Sequence, residues 1–212
     1  MNGQQKFINK VGYSEMYEWA EIPNNNIFGV FVTFDKREPQ KITPTKSASD
    51  DILGVSTIQS TIESDDPEHW KYSYLCNEVG DRYFKKERIG IGVKEYDQVN
   101  ELSYIHTMPM DHFVEVHTPQ YDKNREYIPR SGRREWVRVN LIGKVIVLDN
   151  GECKPGEWCQ PYTGKEKKNF GLAVPADMKV PGYKFYVLGR LTEKSIEITM
   201  SPTLNKYVAS KK

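Results

Sequence analysis

The feature that most limits the fold is residues 134–152, REWVRVNLIGKVIVLDNGE, in which apolar and polar side chains alternate over most of the segment. A period of two is typical of a β-strand with one buried face. The DNG at 149–151 is a preferred sequence for a tight turn, so the segment predicts a long strand pair joined by a hairpin. We therefore expect the core of this chain to be built on a sheet.

Shorter segments extend this pattern. Runs rich in β-branched and aromatic residues predict further strands at 27–35, 50–57, 83–96, 112–117, 171–175, 183–191 and 195–200. Irregular loops are expected at 36–49, 59–68 and 118–133, and short helices at 13–21 and 97–106. The expected fold is mainly β, with long loops and one or two short helices, which is a β-rich α+β class.

Composition limits the partners and the compartment. The 212 residues suffice for one core or two small domains. Thirty basic and 29 acidic residues give a net charge of +1, which argues against general binding to nucleic acid or an anionic membrane. No apolar run is long enough to cross a bilayer. Three cysteines, an odd number, do not suggest a disulfide scaffold, so we expect the chain to fold in a reducing cytoplasm.

Carboxylates near the N-terminus are the first candidate for chemistry. Glu15, Glu18 and Glu21 lie three residues apart beside aromatic residues, and Asp50 and Asp51 precede a predicted strand. Two carboxylates brought together can divide the roles of proton donor and acceptor, which suits hydrolysis. The same residues also fit a solvated acidic surface with an acidic turn.

Histidines and cysteines give weaker signals. His112, Glu115 and His117 could bind a metal, but on a strand His112 and His117 face opposite ways, so we expect no metal site. Cys153 and Cys159 have no second pair of ligands for zinc, and we interpret them as structural thiols.

Arginines cluster in the loop and strand at 125–138. Guanidinium groups bind phosphates and carboxylates with two parallel hydrogen bonds, so Arg130, Arg133 and Arg134 are candidates for an anion or nucleotide site. Local ion pairs to acidic neighbours explain the same cluster equally well, and no glycine-rich phosphate loop accompanies it.

The segments taken in order resemble one known family. The resemblance runs from about residue 12 to about residue 198, and its motifs are GYSEMYEW (12–19), GVFVTFD (29–35), DDILGVS (50–56), REYIPRSGRREW (125–136), LIGKVIV (141–147) and GECKPGEWC (151–159). Together they resemble the Peptidase G2 family, the intramolecular-chaperone autoproteolytic domain of bacteriophage tailspikes and neck appendages. The chain departs from the family pattern at Gly12, where an aspartate is expected nearby, and at Asn140, where glycine is preferred.

The resemblance implies a homotrimeric assembly domain that cuts the peptide bond just upstream of itself. It implies an upstream segment at 1–11, the domain itself at 12–200 and a polar tail at 201–212. The implied catalytic carboxylates are Glu15 with Asp50 or Asp51, with Glu18 as a supporting or interface residue and Val11–Gly12 as the cleaved bond. No cofactor is implied for the cut, and ATP is implied for release of the domain.

The implied partners are an upstream tailspike or fibre segment and copies of the chain itself, and the implied location is the host cytoplasm during virion assembly, or the virion. Two alternatives stay open. The first is a trimeric chaperone or capping domain that does not cleave and stays in the virion. The second is an independent carboxylate-dependent hydrolase, although no aromatic-lined groove for a sugar polymer is evident in the sequence.

Overall fold

The computed structural model describes residues 12–24, 27–66, 73–97, 99, 102–201 and 205–209. The strands in the described residues are β1 (Tyr13–Trp19), β2 (Phe31–Phe34), β3 (Lys41–Pro44), β4 (Gly54–Thr57), β5 (Ile62–Ser64), β6 (Phe84–Asp97), β7 (Leu102–Glu115), β8 (Trp136–Leu148), β9 (Trp158–Pro161), β10 (Ala173–Pro175), β11 (Gly182–Thr192), β12 (Ser195–Met200) and β13 (Lys206–Val208). The described helical segments are two 3-10 turns, Arg130–Gly132 and Lys167–Asn169. The mainly-β prediction is confirmed.

Contacts divide the chain into two compact units, Met1–Pro67 with Ile128–Lys212, and Glu68–Tyr127. The family resemblance implies a single domain over 12–200. The smaller unit contains the antiparallel pair β6 and β7, in register from Phe84 opposite Glu115 to Asp97 opposite Leu102. The larger unit contains the remaining strands and both hydrophobic cores.

Five strands of the larger unit form a closed ring. β8 pairs with β4 on one side and β1 on the other, β4 pairs with β2, β2 with β3, and β3 with β1. The core inside the ring contains Trp19, Val32, Ile42, Val137 and Val139, each less than 5% exposed. Closing the ring leaves no free edge on these strands, since each one is hydrogen-bonded on both sides.

The second half of β8 leaves the ring and joins another sheet. Residues 143–148 pair with β12, followed by β11, β9 and β10. Val145 and Val147 pack there against Phe185, Ile196 and other buried residues. A single strand therefore supplies side chains to both cores.

The structure corrects several predictions. The expected helix at 13–21 is strand β1, because Tyr13 to Glu18 pair with β8 and Trp19 pairs with Ile42 of β3. The described residues of the helix expected at 97–106 belong to the ends of β6 and β7. Segment 134–152 contains the single strand β8 and not the expected hairpin. The end of β8 before the DNG turn pairs instead with β12.

Smaller segments also differ from the prediction. The loops expected at 36–49 and 59–68 contain β3 and β5. The expected polar tail contains β13, which pairs with β11 and sets the ring of Tyr207 edge-on to that of Tyr183 at 5.1 Å. These strands are three or four residues long, too short for a periodic pattern to be visible.

The second core generates a stability prediction. Ile196→Ala should lower the free energy of unfolding by about 2–5 kcal/mol, because Ile196 is fully buried and its removal leaves a cavity. The control is Leu191→Ala, at a side chain that is 41% exposed, which should change stability by about 0.5 kcal/mol or less. Denaturant unfolding measures both, and equal losses would contradict this assignment of the core.

Candidate functional site

Strand β1 holds the Glu15 carboxylate between two tyrosines. Side chains on a strand alternate, so Tyr13, Glu15 and Tyr17 lie on one face of β1. The hydroxyls of Tyr13 and Tyr17 both donate hydrogen bonds to the Glu15 carboxylate, the second at 3.1 Å. The Tyr17 ring is itself fixed by an edge-on contact with Phe34, with ring centroids 6.0 Å apart. The carboxylate is therefore held in one position.

These tyrosines remain protonated over the neutral pH range. Burial, followed by the negative charge of Glu15, raises the pKa of Tyr17 to about 12. The hydrogen bond to Glu15 is the main cause that raises the pKa of Tyr13. The charge of Asp65 also raises the pKa of both tyrosines, which places a second carboxylate in the electrostatic surroundings of Glu15.

Asp65 directly follows strand β5. β5 runs parallel to β1 and sets Ser64 beside Glu15, so Asp65 follows immediately at the end of this pairing. Its φ of 59° lies in the left-handed region, the one such non-glycine residue in the described part of the chain. Such conformations are costly and concentrate at functional sites, where surrounding contacts maintain them.

Arg130 maintains the position of Asp65. Its side chain is only 9% exposed, and it donates hydrogen bonds to the Asp65 carboxylate and, at 2.9 Å, to the Asp65 carbonyl oxygen. Its guanidinium group lies over the Trp136 ring at 4.1 Å from the centroid. A planar guanidinium can stack and donate at once, which a lysine cannot do.

Asp50 and Asp51, the expected partners of Glu15, have no hydrogen bond to it in the described residues. The Asp50 carboxylate accepts the backbone N–H groups of Lys46 and Ser47, at 2.8 and 3.0 Å, and so caps a turn. Asp51 is exposed. Within the described residues of one chain, the hydrogen-bond partners of Glu15 are its tyrosines, and neither Asp50 nor Asp51 is among them. The expected pairing of Glu15 with Asp50 or Asp51 stays a prediction.

Two other predicted residues of the opening stretch, Glu18 and Gly12, have contacts within the larger unit. Glu18 forms an ion pair with Lys41 at 3.2 Å, across the pairing of β1 with β3. Gly12 lies directly before β1, and its carbonyl oxygen accepts the N–H of Ile62 at 3.1 Å. Val11 lies outside the described residues.

The predicted anion-binding arginines fall into two groups. Arg130 is occupied with Asp65, whereas Arg133 and Arg134 line a cavity of about 280 Å³ together with Trp19 and Trp136. Arg138 also lines this cavity and forms ion pairs with Glu63 at 3.1 Å and Asp66 at 3.4 Å. The buried Nε atoms of Arg133 and Arg138 have no hydrogen-bond partner among the described residues.

The remaining candidates have structural contacts. Cys153 and Cys159 are free and buried, and a hydrogen bond with Cys153, together with burial, holds the pKa of the Cys159 thiol well above its ordinary value. A neutral thiol is a poor nucleophile. His117 stacks on Tyr121, with ring centroids 3.8 Å apart. In the described ranges, no three His, Cys, Asp or Glu side chains are grouped so that they could hold a metal ion.

Comparison with known proteins decides the family. The family model of Peptidase_G2, the IMC autoproteolytic cleavage domain, matches residues 1–173. The chain belongs to the Peptidase_G2 family. In the described part of this Peptidase_G2 chain, no helix has the length and apolar character needed to cross a membrane.

Two curated relatives come from Bacillus phages. The preneck appendage protein of phage PZA is 27% identical over 148 residues, which are 68% of this chain and 15% of that protein. The pre-neck appendage protein of phage phi29 is 26% identical over 184 residues, which are 76% of this chain and 19% of that protein. This Peptidase_G2 chain therefore spans less than a fifth of the length of these relatives.

Solved structures support the same fold. The pre-mature bacteriophage phi29 gene product 12 superposes with a TM-score of 0.58 at 20% identity, covering 90% of this chain and 21% of that one. The bacteriophage phi29 gene product 12 C-terminal fragment gives 0.56 at 21% identity, covering 89% of this chain and 99% of that one. At this level of identity the likeness shows a shared fold.

The site generates a prediction about Tyr17. Its hydroxyl should titrate near pH 12, and Glu15→Gln should lower this pKa toward 10, because the charge of Glu15 is removed while burial remains. Since the folded-state pKa is raised, the associated stability is fully present below pH 10 and is lost as pH rises toward 12. NMR of ring-labelled tyrosine measures the titration, with Tyr17→Phe to assign the signal. An unchanged pKa in Glu15→Gln would contradict the contact.

Proposed function

We propose that this chain is the self-cleaving assembly domain of a phage neck appendage-type protein, and that it cuts the bond between Val11 and Gly12. The observation that carries the proposal is the position of Glu15. It lies on β1, three residues after Gly12, with its carboxylate fixed by two tyrosine hydroxyls. The bond is attached to the site, so the substrate is present at high effective concentration without a separate binding pocket.

The proposed reaction is hydrolysis by water. Glu15 takes a proton from the attacking water, whose oxygen forms a bond to the Val11 carbonyl carbon. Glu15 then gives this proton to the Gly12 nitrogen as the C–N bond breaks, which leaves a carboxylic acid on Val11 and an amine on Gly12. The acid then loses its proton to solvent, and the amine takes one up, so the products are a carboxylate and an ammonium group. No metal ion or other reactant is required for this balance.

Asp65 is proposed as the second carboxylate, in place of Asp50 or Asp51. Support comes from the pairing of Ser64 with Glu15, from the electrostatic effect of Asp65 on both tyrosines, and from its left-handed backbone. In this role Asp65 orients the water, and Arg130 fixes the position of Asp65. Asp50 or Asp51 could act instead only if another copy of the chain brought them to Glu15.

The wider assembly is proposed from the family and its relatives. Both curated relatives are named as phage neck appendage proteins, which supports a place for this chain in virion assembly in the host cytoplasm and association with the virion. A homotrimer and an upstream fibre segment are proposed from the family resemblance. ATP-linked release is proposed on the same basis, and the cavity lined by Arg133, Arg134 and two tryptophans supports it as the nucleotide site.

One observation favours a second candidate, a capping domain that does not cleave. The ion pair between Asp65 and the buried Arg130 is also what a purely structural contact would look like. Cleavage itself separates the two candidates.

Cleavage assays on variants test the proposal. A carrier protein is fused ahead of Met1, and the two fragments are followed over time on a denaturing gel. Glu15→Gln should abolish the cut, because the acid–base group is lost. Asp65→Asn should slow it by about 10²-fold, because the water is then less well positioned. Asp50→Asn and Asp51→Asn are the matched controls and should leave the rate unchanged.

Three other outcomes are informative. An intact wild-type chain would contradict the peptidase proposal and favour the capping domain. Loss of cleavage in Asp50→Asn or Asp51→Asn, with Asp65→Asn active, would restore the pair expected from the sequence. Equal rates in all variants would mean that these carboxylates do not perform the reaction.

The cavity gives a separate prediction. ATP should quench the fluorescence of Trp19 and Trp136, and Arg134→Ala should weaken this binding by about tenfold, since one charge-assisted contact is lost. Arg134 is exposed, so the substitution should leave the fold intact. Lys154→Ala, an exposed cation outside the cavity lining, is the control. Identical titrations for all three proteins would rule out this cavity as the nucleotide site.

A further inference from the structure

Gly12 lies in a space that admits no side chain. Its φ is +124°, a conformation that favours glycine. A Cβ atom at this position would lie 2.5 Å from Oδ1 of Asn140 and 2.7 Å from the carbonyl oxygen of Ile142. Alanine at position 12 would therefore overlap with both β8 residues.

A bulge in β8 creates this close approach. Ser14 of β1 is opposite Asn140, but Tyr13 is opposite Ile142, so Leu141 is an extra residue in the pairing. Bulges re-aim side chains and are frequent beside active sites. Here the bulge turns the Asn140 amide and the Ile142 carbonyl toward the backbone of Gly12.

The Asn140 amide is buried and incompletely hydrogen-bonded. The residue is 2% exposed, and Nδ2 donates to the carbonyl oxygen of Lys144 at 3.3 Å. Oδ1 is buried and has no hydrogen-bond partner in the described residues. A buried acceptor without a partner costs stability, so its presence against Gly12 calls for an explanation other than folding.

We propose that Asn140 is the positioning residue for the bond between Val11 and Gly12, and that it makes the cut specific for glycine at position 12. The inference rests on the proposed function. The amide lies against the side of Gly12 where a Cβ atom would be, and so sets the path of the backbone that enters β1 three residues before Glu15. It also closes the space that any larger residue at position 12 would need. Asn140 exchanges no proton or bond with the substrate and acts only through the placement of Gly12.

This role differs measurably from a structural one. A structural asparagine would lower the melting temperature when truncated and leave the cut of the folded protein unchanged. A positioning residue should slow the cut with little loss of stability, because its Oδ1 has no hydrogen-bond partner in the described residues whereas a misplaced bond reacts slowly.

The experiment uses the full chain, with the cut followed by the mass of the intact protein and stability by thermal unfolding. Asn140→Ala should slow the cut by about a hundredfold, the effect of a displacement of about 1 Å, and change the melting temperature by no more than about 4 °C. Gly12→Ala should stop the cut. The double variant should also stay uncut, because the Ile142 carbonyl oxygen would still lie 2.7 Å from the added Cβ and the positive φ still favours glycine.

Two controls match these changes. Asn150→Ala alters an exposed asparagine whose amide bonds to Glu152, and Gly80→Ala alters a positive-φ glycine with nothing within 4 Å of its Cβ position. Both should cut at the wild-type rate.

The outcomes separate this inference from the proposed function. A wild-type chain that stays intact overturns the proposed function and the inference with it. A wild-type chain that is cut while Asn140→Ala is cut equally fast overturns the inference alone. So does a Gly12→Ala chain that is cut at the wild-type rate, because position 12 would then admit a side chain. If Asn140→Ala does not fold, the role is structural and the inference fails.

Discussion

The antiparallel pairing of β1 with β8 is the contact on which the rest of the structure depends. β8 supplies Val137 and Val139 to the core of the ring and Val145 and Val147 to the second core. A shift of one residue in the pairing would turn every side chain of β1 to the other face. Trp19 and Tyr17, which pack in the core of the ring, would then turn away from it, so this core holds the register of β1.

The same pairing connects stability with the candidate chemistry. The bulge at Leu141 brings Asn140 and Ile142 to the backbone of Gly12, while the pairing beyond it is regular from Ser14 to Glu18. The closely packed glycine and the fixed carboxylate are thus produced by a single strand pair. On the other side of β1, the parallel strand β5 adds Asp65, which Arg130 and Trp136 hold in place. Residues from three distant segments meet at one edge of the ring.

The sequence predicts part of this arrangement. A period of two predicted the strand character of β8, which has one face buried over several residues. Runs of β-branched and aromatic residues predicted β12 with its correct bounds and the strand character of β6. The spacing of Glu15, Glu18 and Glu21 suggested a helix at 13–21, but pairing with β8, a partner more than a hundred residues away, overrides that local signal. β3 and β5 were missed because three or four residues carry no visible pattern.

Only the part of the candidate site on β1 was predictable from the sequence. Glu15 was found through its motif, and its flanking tyrosines share its face on any strand. Asp65 lies in the acidic turn ESDDPE, which the sequence marks as a loop, and nothing local indicates that a parallel pairing of β5 with β1 brings it to Glu15. Asp50 was favoured by its motif, yet its carboxylate caps a turn by accepting the N–H groups of Lys46 and Ser47. This contact could not be predicted from the sequence, because it depends on the backbone conformation of the turn.

The mass of the mature N-terminus tests the central claim most directly. The claim is that the backbone entering β1 is cut beside Glu15. After expression and prolonged incubation, intact-mass analysis should show a chain that begins at Gly12, together with the released peptide that ends at Val11. A chain that keeps its original N-terminus, or one whose new N-terminus lies at any other residue, would contradict the account.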